Sequence, residues 1–571
     1  RELAGRAAGD SAPIARIGAM ALQRAWLREF NALGLQLRPQ AAKLVSAFLT
    51  ECEDPQQTVE SLVEFTKSYL RSRQGRVDAI LDADVIKNVL ECMQQSARDS
   101  GIAVTTQDAA RQGIEALDLG DGVYIYDATS EVRPFDYRRA TKEWVPAHEM
   151  PGALAHPDVK AKVYADRYHL LLQRTLLEGQ LVAEEEAAGS GLLPGQRVLT
   201  KVESLQGNPG SKVTFGLLTR AYDNNSRRWV IEDLHKVYDV ELLEEATDHL
   251  VTDGCFVLAE GFLDGDRFVI RRLDVPAAVP RAITLVKDLA PRQMFGGCLT
   301  DEQLDMLRES EPSNPDGFYV VLCEVHLDSM RVLEKLSDLF HGYEEFGPPT
   351  AYVLMGSFSS TVFKPTSEGV RSYREGFERL KFLIRGLSRH IQSGTRFILV
   401  PGPNDPGAPM LPRVPLPGYV TADLAKDVPN VVLATNPCRV RHFSRELVFF
   451  RHDVLRLLRR HEALPMRDPN TGAAVSVEHA QKEMVRFLLD QAHLVPLPLE
   501  QSNILWAYDH SLRLYPMPHA VFIGGVSRPF DCAYQDCKFC SVGPFSRDSE
   551  FYAFHPIKGV MEPCDVPDRA G

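Results

Sequence analysis

Cysteine is scarce, with 10 in 571 residues. With no export signal, so thin a supply points to a reducing compartment and free thiols, and it excludes a disulfide-stapled scaffold. No run approaches the ~18 apolar residues that span a bilayer. The start of the chain lacks the continuous apolar core of a signal peptide. Residues 1–19 read as an unstructured leader rich in Ala, Arg and Gly, and the first Met is Met20, which leaves the translation start open. Positive charge is short as well: 64 Lys+Arg against 77 Asp+Glu give a net charge of −13. A protein that wraps nucleic acid by bulk charge needs clustered Lys and Arg, so that class is disfavoured, local patches apart. What is present, 44% hydrophobic and 25% charged residues, is ordinary for a globular protein. At roughly 100–200 residues per domain, the length predicts about three or four domains.

Residues 20–95 carry apolar stripes at helical spacing. They are Trp26, Leu27, Phe30 and Leu33; Leu44, Val45, Phe48 and Leu49 after Pro39; Val59, Leu62, Val63, Thr66, Tyr69 and Leu70; and Val85, Val89, Leu90 and Met93 behind the cap candidate Asp84. Four short helices with short connections predict a compact bundle. Residues 96–160 read as a linker and docking segment, with one strand at Val123-Tyr124-Ile125-Tyr126. Residues 158–182 turn helical through Val163, Tyr164, Tyr168, Leu171 and Leu172, and the acidic run from Glu184 to Gly195 reads as a loop.

From 197 to 280 the period changes. Val213, Phe215 and Leu217 alternate, as do Trp229 and Ile231, with Val237 and Val240 less cleanly. Cys255 to Ala259 is continuously apolar, and Asp264-Gly265-Asp266 is a hairpin signal before Phe268, Val269 and Ile270. Some five short strands in about 80 residues predict a small barrel of the OB kind. Single-strand binding on such a barrel needs aromatics beside basic residues, and Arg227, Arg228 and Trp229 are the evident cluster.

After Pro291 apolar strands (Phe318 to Leu322, Ala351 to Met355, Phe397 to Val400) alternate with amphipathic helices, which predicts a sheet covered on both faces. In such folds ligands bind beyond the carboxyl ends of the strands. Those places hold Glu324-Val325-His326-Leu327-Asp328, Gly356-Ser357-Phe358-Ser359-Ser360 and Gly402-Pro403-Asn404-Asp405. The succession resembles the calcineurin-like metallophosphoesterases, whose active members carry Asp-x-His, Gly-Asp-x-x-Asp and Gly-Asn-His-Asp/Glu there to hold two metals that activate water. Here Glu324 and His326 remain able to ligate. Ser357 stands where a bridging carboxylate belongs, Pro403 where the Asn belongs, Asn404 where the His belongs, and Asp405 follows. A later Gly-His-x-His element reduces to His493 in Ala492-His493-Leu494-Val495. A neutral hydroxyl cannot bridge two dications as a carboxylate does, and a Pro side chain cannot ligate. The expectation is a multidomain α+β chain of helical bundle, OB barrel and degenerate phosphoesterase sandwich, with no catalytic residues and no cofactor.

An OB barrel joined to a degenerate phosphoesterase resembles the B subunits of the eukaryotic replicative DNA polymerases. Cys255 to Gly261, Val400 to Gly407, Ala434-Thr435-Asn436-Pro437-Cys438-Arg439, His493 to Leu499 and Trp506 to Pro516 together look like the epsilon branch of that family. The likeness covers nearly the whole chain from about residue 20 and loosens beyond Phe530. It implies domains at 20–95 (bundle), 96–160 (linker), 161–196 (packing on the phosphoesterase part), 197–280 (OB-fold, inserted within the phosphoesterase fold) and 281–571 (inactive phosphoesterase). It implies a nuclear, non-catalytic subunit in leading-strand DNA replication. Its partners would be the carboxyl-terminal region of the epsilon catalytic subunit, the replicative helicase through the GINS complex and the small histone-fold subunits, with DNA mostly reached indirectly and no membrane contact. Alternatives are the B subunit of polymerase alpha or delta, an active metallophosphoesterase, and a single-strand-binding OB protein.

Three further features carry candidate chemistry. Cys532, Cys537 and Cys540, with Cys564 downstream, could hold zinc, but structural zinc sites usually show two close-spaced pairs, so free thiols are the favoured reading. Arg456, Arg459, Arg460 and His461 form a basic run of the kind that is usually a solvated face. Pro403, Pro406, Pro409, Pro412, Pro415 and Pro417 stiffen a loop at the strand ends, suited to docking at little entropic cost or to plain covering.

Overall fold

The computed structural model describes residues 121–568, apart from 148–149, 153–154, 178, 207–209, 224–225, 288, 468–470 and 526–527, together with 36–37, 45, 66 and 80–81. The chain divides into two compact units, Arg1–Leu119 and Gly120–Gly571. In the first, Gln36–Leu37 pairs in parallel with Ile80–Leu81, and Val45 and Thr66 are helical and buried. The remainder of the expected bundle over 20–95, the leader 1–19 and residues 96–119 lie outside the described residues. Among the described residues no helix is long and apolar enough to cross a membrane.

In the second unit, five strands close a barrel. Lys212–Asp223, Ser226–Glu232 and Val237–Leu242 run antiparallel in succession. Val237–Leu242 then pairs in parallel with Arg267–Asp274, which pairs with Cys255–Asp264, and that strand returns to the first. Closure needs a bend, and the register shifts between Glu260 and Gly261. A Cβ on Gly261 would lie 2.1 Å from the Val269 carbonyl oxygen, so only glycine fits this bulge. Val237 and Val240, which alternate less cleanly in the sequence, fall on opposite faces: Tyr238 and Val240 are buried and Val237 is exposed. Residues three apart in a strand cannot share a face. The acidic run expected as a loop contains a helix, Glu184–Ser190. Its three glutamates occupy the first turn, where the helix dipole favours negative charge.

The rest is a four-layer sandwich. One sheet places Val431–Leu433, Arg396–Val400, Ala351–Met355 and Tyr319–Cys323 side by side in parallel, then Glu550–His555 antiparallel and Val560–Asp565 at the edge. The last two strands of this sheet lie in the stretch where the family resemblance loosens, although Phe551-Tyr552-Ala553-Phe554 is a continuous apolar run. The second sheet runs Phe530–Tyr534, Cys537–Val542, Ala520–Gly524, Arg445–Arg451, Cys438–His442 and Val123–Tyr126. Thus a strand from the stretch that reads as a linker is an edge strand of the second sheet, paired with residues more than 300 positions later. Its register against Cys438–His442 is a long-range fact that local periodicity cannot carry.

The inner faces of the two sheets share one core, including Tyr319, Val353, Ile398, Phe449 and Phe522. Outside the first sheet, the helices Met330–Phe346, Ser367–Arg385 and Gly418–Asp427 cover Leu322, Leu354 and Leu399. Strands buried on both faces explain the unbroken apolar runs. Outside the second sheet, Phe450, Val521 and Phe539 share a core with the helix Val477–Asp490 and with Val257, Phe268 and Ile270 of the barrel.

The helix Asp158–Leu176 locks barrel and sandwich together. Leu170 and Leu171 share a core with Phe215 and Phe256 of the barrel and with Ala492 and Tyr515. Its buried Arg167 donates through Nε to Asp509 at 3.3 Å, Asp166 accepts from Arg513 at 3.0 Å, and Arg174 donates to the carbonyls of Pro276 and Asp490.

Candidate functional site

Loops from the carboxyl ends of three parallel strands meet at one mouth, with the ends of Arg445–Arg451 and Ala520–Gly524 opposite. The residues predicted from the strand ends divide here into two groups. Glu324 and His326 do meet: His326 Nε2 lies 2.8 Å from Glu324 Oε2. Glu324 takes a left-handed backbone conformation, φ 55°, uncommon outside glycine. Its other carboxylate oxygen accepts from Arg451. Arg451, 2% exposed, also donates through Nε to the Gly356 carbonyl at 2.7 Å and through Nη1 to the Gly524 carbonyl at 3.2 Å. Asn436 holds it from behind, accepting from the Arg451 amide at 3.0 Å and donating to the carbonyls of Arg451 and Pro401 at 2.8 and 3.0 Å.

Burial alone would raise the Glu324 pKa. The His326 hydrogen bond and the Arg451 charge outweigh it and hold the carboxyl at about 2. Glu324 is therefore a carboxylate already neutralised by a guanidinium.

Asp405 has a different task. Its oxygens accept from the amides of Gly402 and Phe358, each at 2.7 Å, and from the Tyr373 hydroxyl at 2.9 Å. Burial raises its pKa despite these bonds. It staples together two loops that approach so closely that a Cβ on Gly402 would lie 2.6 Å from the Gly356 carbonyl carbon. Ser357 is fully buried and its hydroxyl finds no hydrogen-bond partner. Pro403 is exposed and Asn404 half-buried, its carbonyl accepting from the Phe363 amide at 2.9 Å.

His493 belongs to another network. Its Nδ1 accepts from the Val495 amide at 3.0 Å, which leaves Nε2 to donate to Asp509 at 3.3 Å. Burial, then the nearby Arg167 charge, lower its pKa. Against the burial that would raise it, Arg167 and His493 hold Asp509 far below the usual carboxylate range.

These residues do not fit a pair of metal ions. A guanidinium stands beside Glu324, Ser357 offers a neutral hydroxyl, Pro403 no donor, and His493 is engaged elsewhere. Among the described residues no group of three or more His, Cys, Asp or Glu converges as a metal site. The cysteine cluster fails for a geometric reason. Cys537 and Cys540 lie three residues apart on one strand and face opposite sides, Cys537 toward the barrel-side core and Cys540 into the core between the sheets. Cys564 lies on the other sheet.

Arg228 pairs with Asp239 at 2.8 Å, Arg220 stacks over Trp229 at 4.5 Å, and Arg227 over Tyr222 at 5.4 Å. In the helix Val454–Arg460, Val454, Leu455 and Leu458 are buried while Arg456, Arg459 and Arg460 are exposed. The proline-rich loop is pinned by Arg413, which donates to the Asp405 carbonyl at 2.9 Å, and by Leu411, bridged to Ile504. Sequence reasoning misses Arg451, Arg413 and Tyr373 at the mouth. Asn436 is visible in the sequence only as part of a resembling segment.

Comparison with known proteins agrees with this architecture. Residues 319–532 match the family of the DNA polymerase alpha/epsilon B subunit, and residues 157–277 match the DNA polymerase epsilon subunit 2-like OB-fold domain. The chain is 28% identical over 552 residues to the DNA polymerase epsilon subunit 2 of Mus musculus, covering 93% of this chain and 96% of that protein. It is 30% identical over 413 residues to the DNA polymerase epsilon B subunit of Arabidopsis thaliana, covering 71% and 76%. With the DNA polymerase epsilon B subunit of Schizosaccharomyces pombe it shares 29% over 419 residues, covering 71% and 69%. A mixed α/β chain with an OB-fold domain is thus one of the B subunits of replicative DNA polymerases. Within them, the chain belongs to the family of the DNA polymerase epsilon B subunit.

Proposed function

We propose that this protein is the non-catalytic accessory (B) subunit of a DNA polymerase epsilon complex, working in the nucleus. It scaffolds the carboxyl-terminal region of the catalytic subunit. Its amino-terminal residues 20–95 link that complex to the replicative helicase through GINS, in the company of the small histone-fold subunits, and DNA is reached mainly through these partners. The sandwich is a calcineurin-like phosphoesterase fold that has lost its metal set. The observation that carries the non-catalytic reading is Arg451, a buried cation bound to Glu324, the carboxylate that stands with His326 where the metal ligands would begin. A guanidinium in that position repels dications and offers no exchangeable water to activate.

Co-expression with the carboxyl-terminal regions of the alpha, delta and epsilon catalytic subunits tests the scaffold. Recovery with epsilon alone is expected, and recovery with alpha or delta instead would overturn the assignment. Hydrolysis of an aryl phosphate with added manganese should stay at background. Turnover abolished by His326→Ala would sink the non-catalytic reading.

A further inference from the structure

At the opposite end of the second sheet from the mouth, near the starts of Arg445–Arg451 and Ala520–Gly524, lies a cleft of about 290 Å³. Its walls come from the segments after the barrel, Arg281–Val286 and Asp301–Ser310, and from the sheet's strand starts. Five arginines line it: Arg281, Arg292, Arg308, Arg441 and Arg445. Two of these are committed only in part. Arg281 engages Glu446 and the Met517 carbonyl through Nη1 alone, and Arg292 engages Asp305 through Nη1 alone. Each leaves donors of its fork unused. Arg308 is exposed, and its side chain has no ion pair or hydrogen bond among the described residues. His519 accepts from the Glu446 amide on Nδ1 at 3.0 Å, so the neutral ring carries its proton on Nε2. Each of these groups offers donors to an anion.

The cleft is not built for a nucleic acid backbone. Asp305 and Asp536 stand in its wall, and no Phe, Tyr or Trp lines it to stack a base. Ser444 also lines it, its hydroxyl committed to Glu311, and the apolar part of the lining is Ala282, Leu285, Leu304, Met517 and Pro518. The same helices leave Ile283, Val286 and Met306 exposed, and Val286, 82% exposed, directly follows the cleft-lining Leu285. Arginine forks alternating with aliphatic surface complement a chain that alternates carboxylate and apolar side chains.

The geometry points to this cleft as a docking site for an acidic peptide segment of a partner protein, with Asp or Glu side chains on Arg308 and Arg292 and apolar residues against Leu285 and Val286. The site is separate from the mouth and does not depend on the polymerase reading.

The test uses the full chain. A random twelve-residue peptide library is selected on it, and the recovered peptides are measured by fluorescence anisotropy against wild type, Arg308→Glu, Val286→Asp and, outside the cleft, Arg456→Glu. Peptides pairing acidic with aliphatic residues should dominate. Arg308→Glu should weaken them about tenfold, the loss of one charge-assisted contact, and Val286→Asp should weaken them too, while Arg456→Glu leaves them unchanged. Raising the salt should also weaken binding. The proposal fails if no such peptides are recovered, if Arg308→Glu binds them as wild type does, if Arg456→Glu weakens them equally, or if a single-stranded oligonucleotide displaces them at equal concentration.

Discussion

Glu324, His326 and Arg451 form a closed electrostatic unit, and its parts respond differently to removal. Arg451→Met leaves a buried carboxylate with only His326 beside it and should cost about 3–5 kcal/mol, as breaking one side of a buried pair does. Adding Glu324→Gln removes the stranded charge and should restore part of the loss. Urea denaturation of the four proteins of this cycle measures the coupling, and additivity would mean that the two groups do not interact. Acid gives a second check. Glu324 has a folded pKa of about 2, lowered from 4.5, so its contribution is complete above the unfolded value and disappears as pH falls toward the folded one. Wild type should lose on the order of 3 kcal/mol between about pH 5 and 2 that Glu324→Gln does not lose. Stability curves at stepped pH decide it, and parallel curves for the two proteins would contradict it. At this scale the sequence names two of the unit's three members. Glu324 and His326 follow a recognisable strand end. Arg451 lies 127 residues away, at the end of a strand with nothing to mark it, and only tertiary structure brings it to them.

Among the elements, the helix Asp158–Leu176 is legible by its period, and its partner is not. The run from Trp506 to Pro516 stands out in the sequence only as a resembling segment. In the structure it is the helix's seat: Asp509 binds Arg167, Arg513 binds Asp166, and His510 donates to the Val132 carbonyl at 2.9 Å. Arg439 braces the seat, donating to the Ser511 carbonyl at 2.9 Å. Asp509→Asn keeps the shape and removes the charge, so Arg167 is left buried without its counter-ion. A loss of about 3 kcal/mol is expected, seen as a lower urea midpoint at unchanged slope. A change under about 0.5 kcal/mol, the size usual for surface sites, would mean that the pair contributes nothing. The helix at Glu184 and the opposed faces of Val237 and Val240 escape the sequence for one shared reason: apolar spacing alone does not encode them. Terminal charge settles the first and strand parity the second.

At the level of the molecule, barrel and sandwich share two apolar clusters and a common helix. Residues 120–571 should therefore unfold in one calorimetric transition despite containing two folds. Two resolved transitions would show that the interlock is weaker than its buried surface implies. Length foretells several domains, and the pattern change at residue 197 locates the barrel. The depth to which the parts interlock is invisible there, because it depends on contacts between segments hundreds of residues apart.

The strand Val123–Tyr126 has a consequence for how the chain is made. Its partner Cys438–His442 leaves the ribosome about 315 residues later, some 15–60 s at synthesis rates of roughly 5–20 residues per second. Every strand of the barrel emerges in that interval and can pair with its neighbours at once. The order of synthesis thus lets the barrel form first, while the upstream strand waits as an open edge, exposed to wrong partners and to chaperones, until the sandwich arrives to take it in.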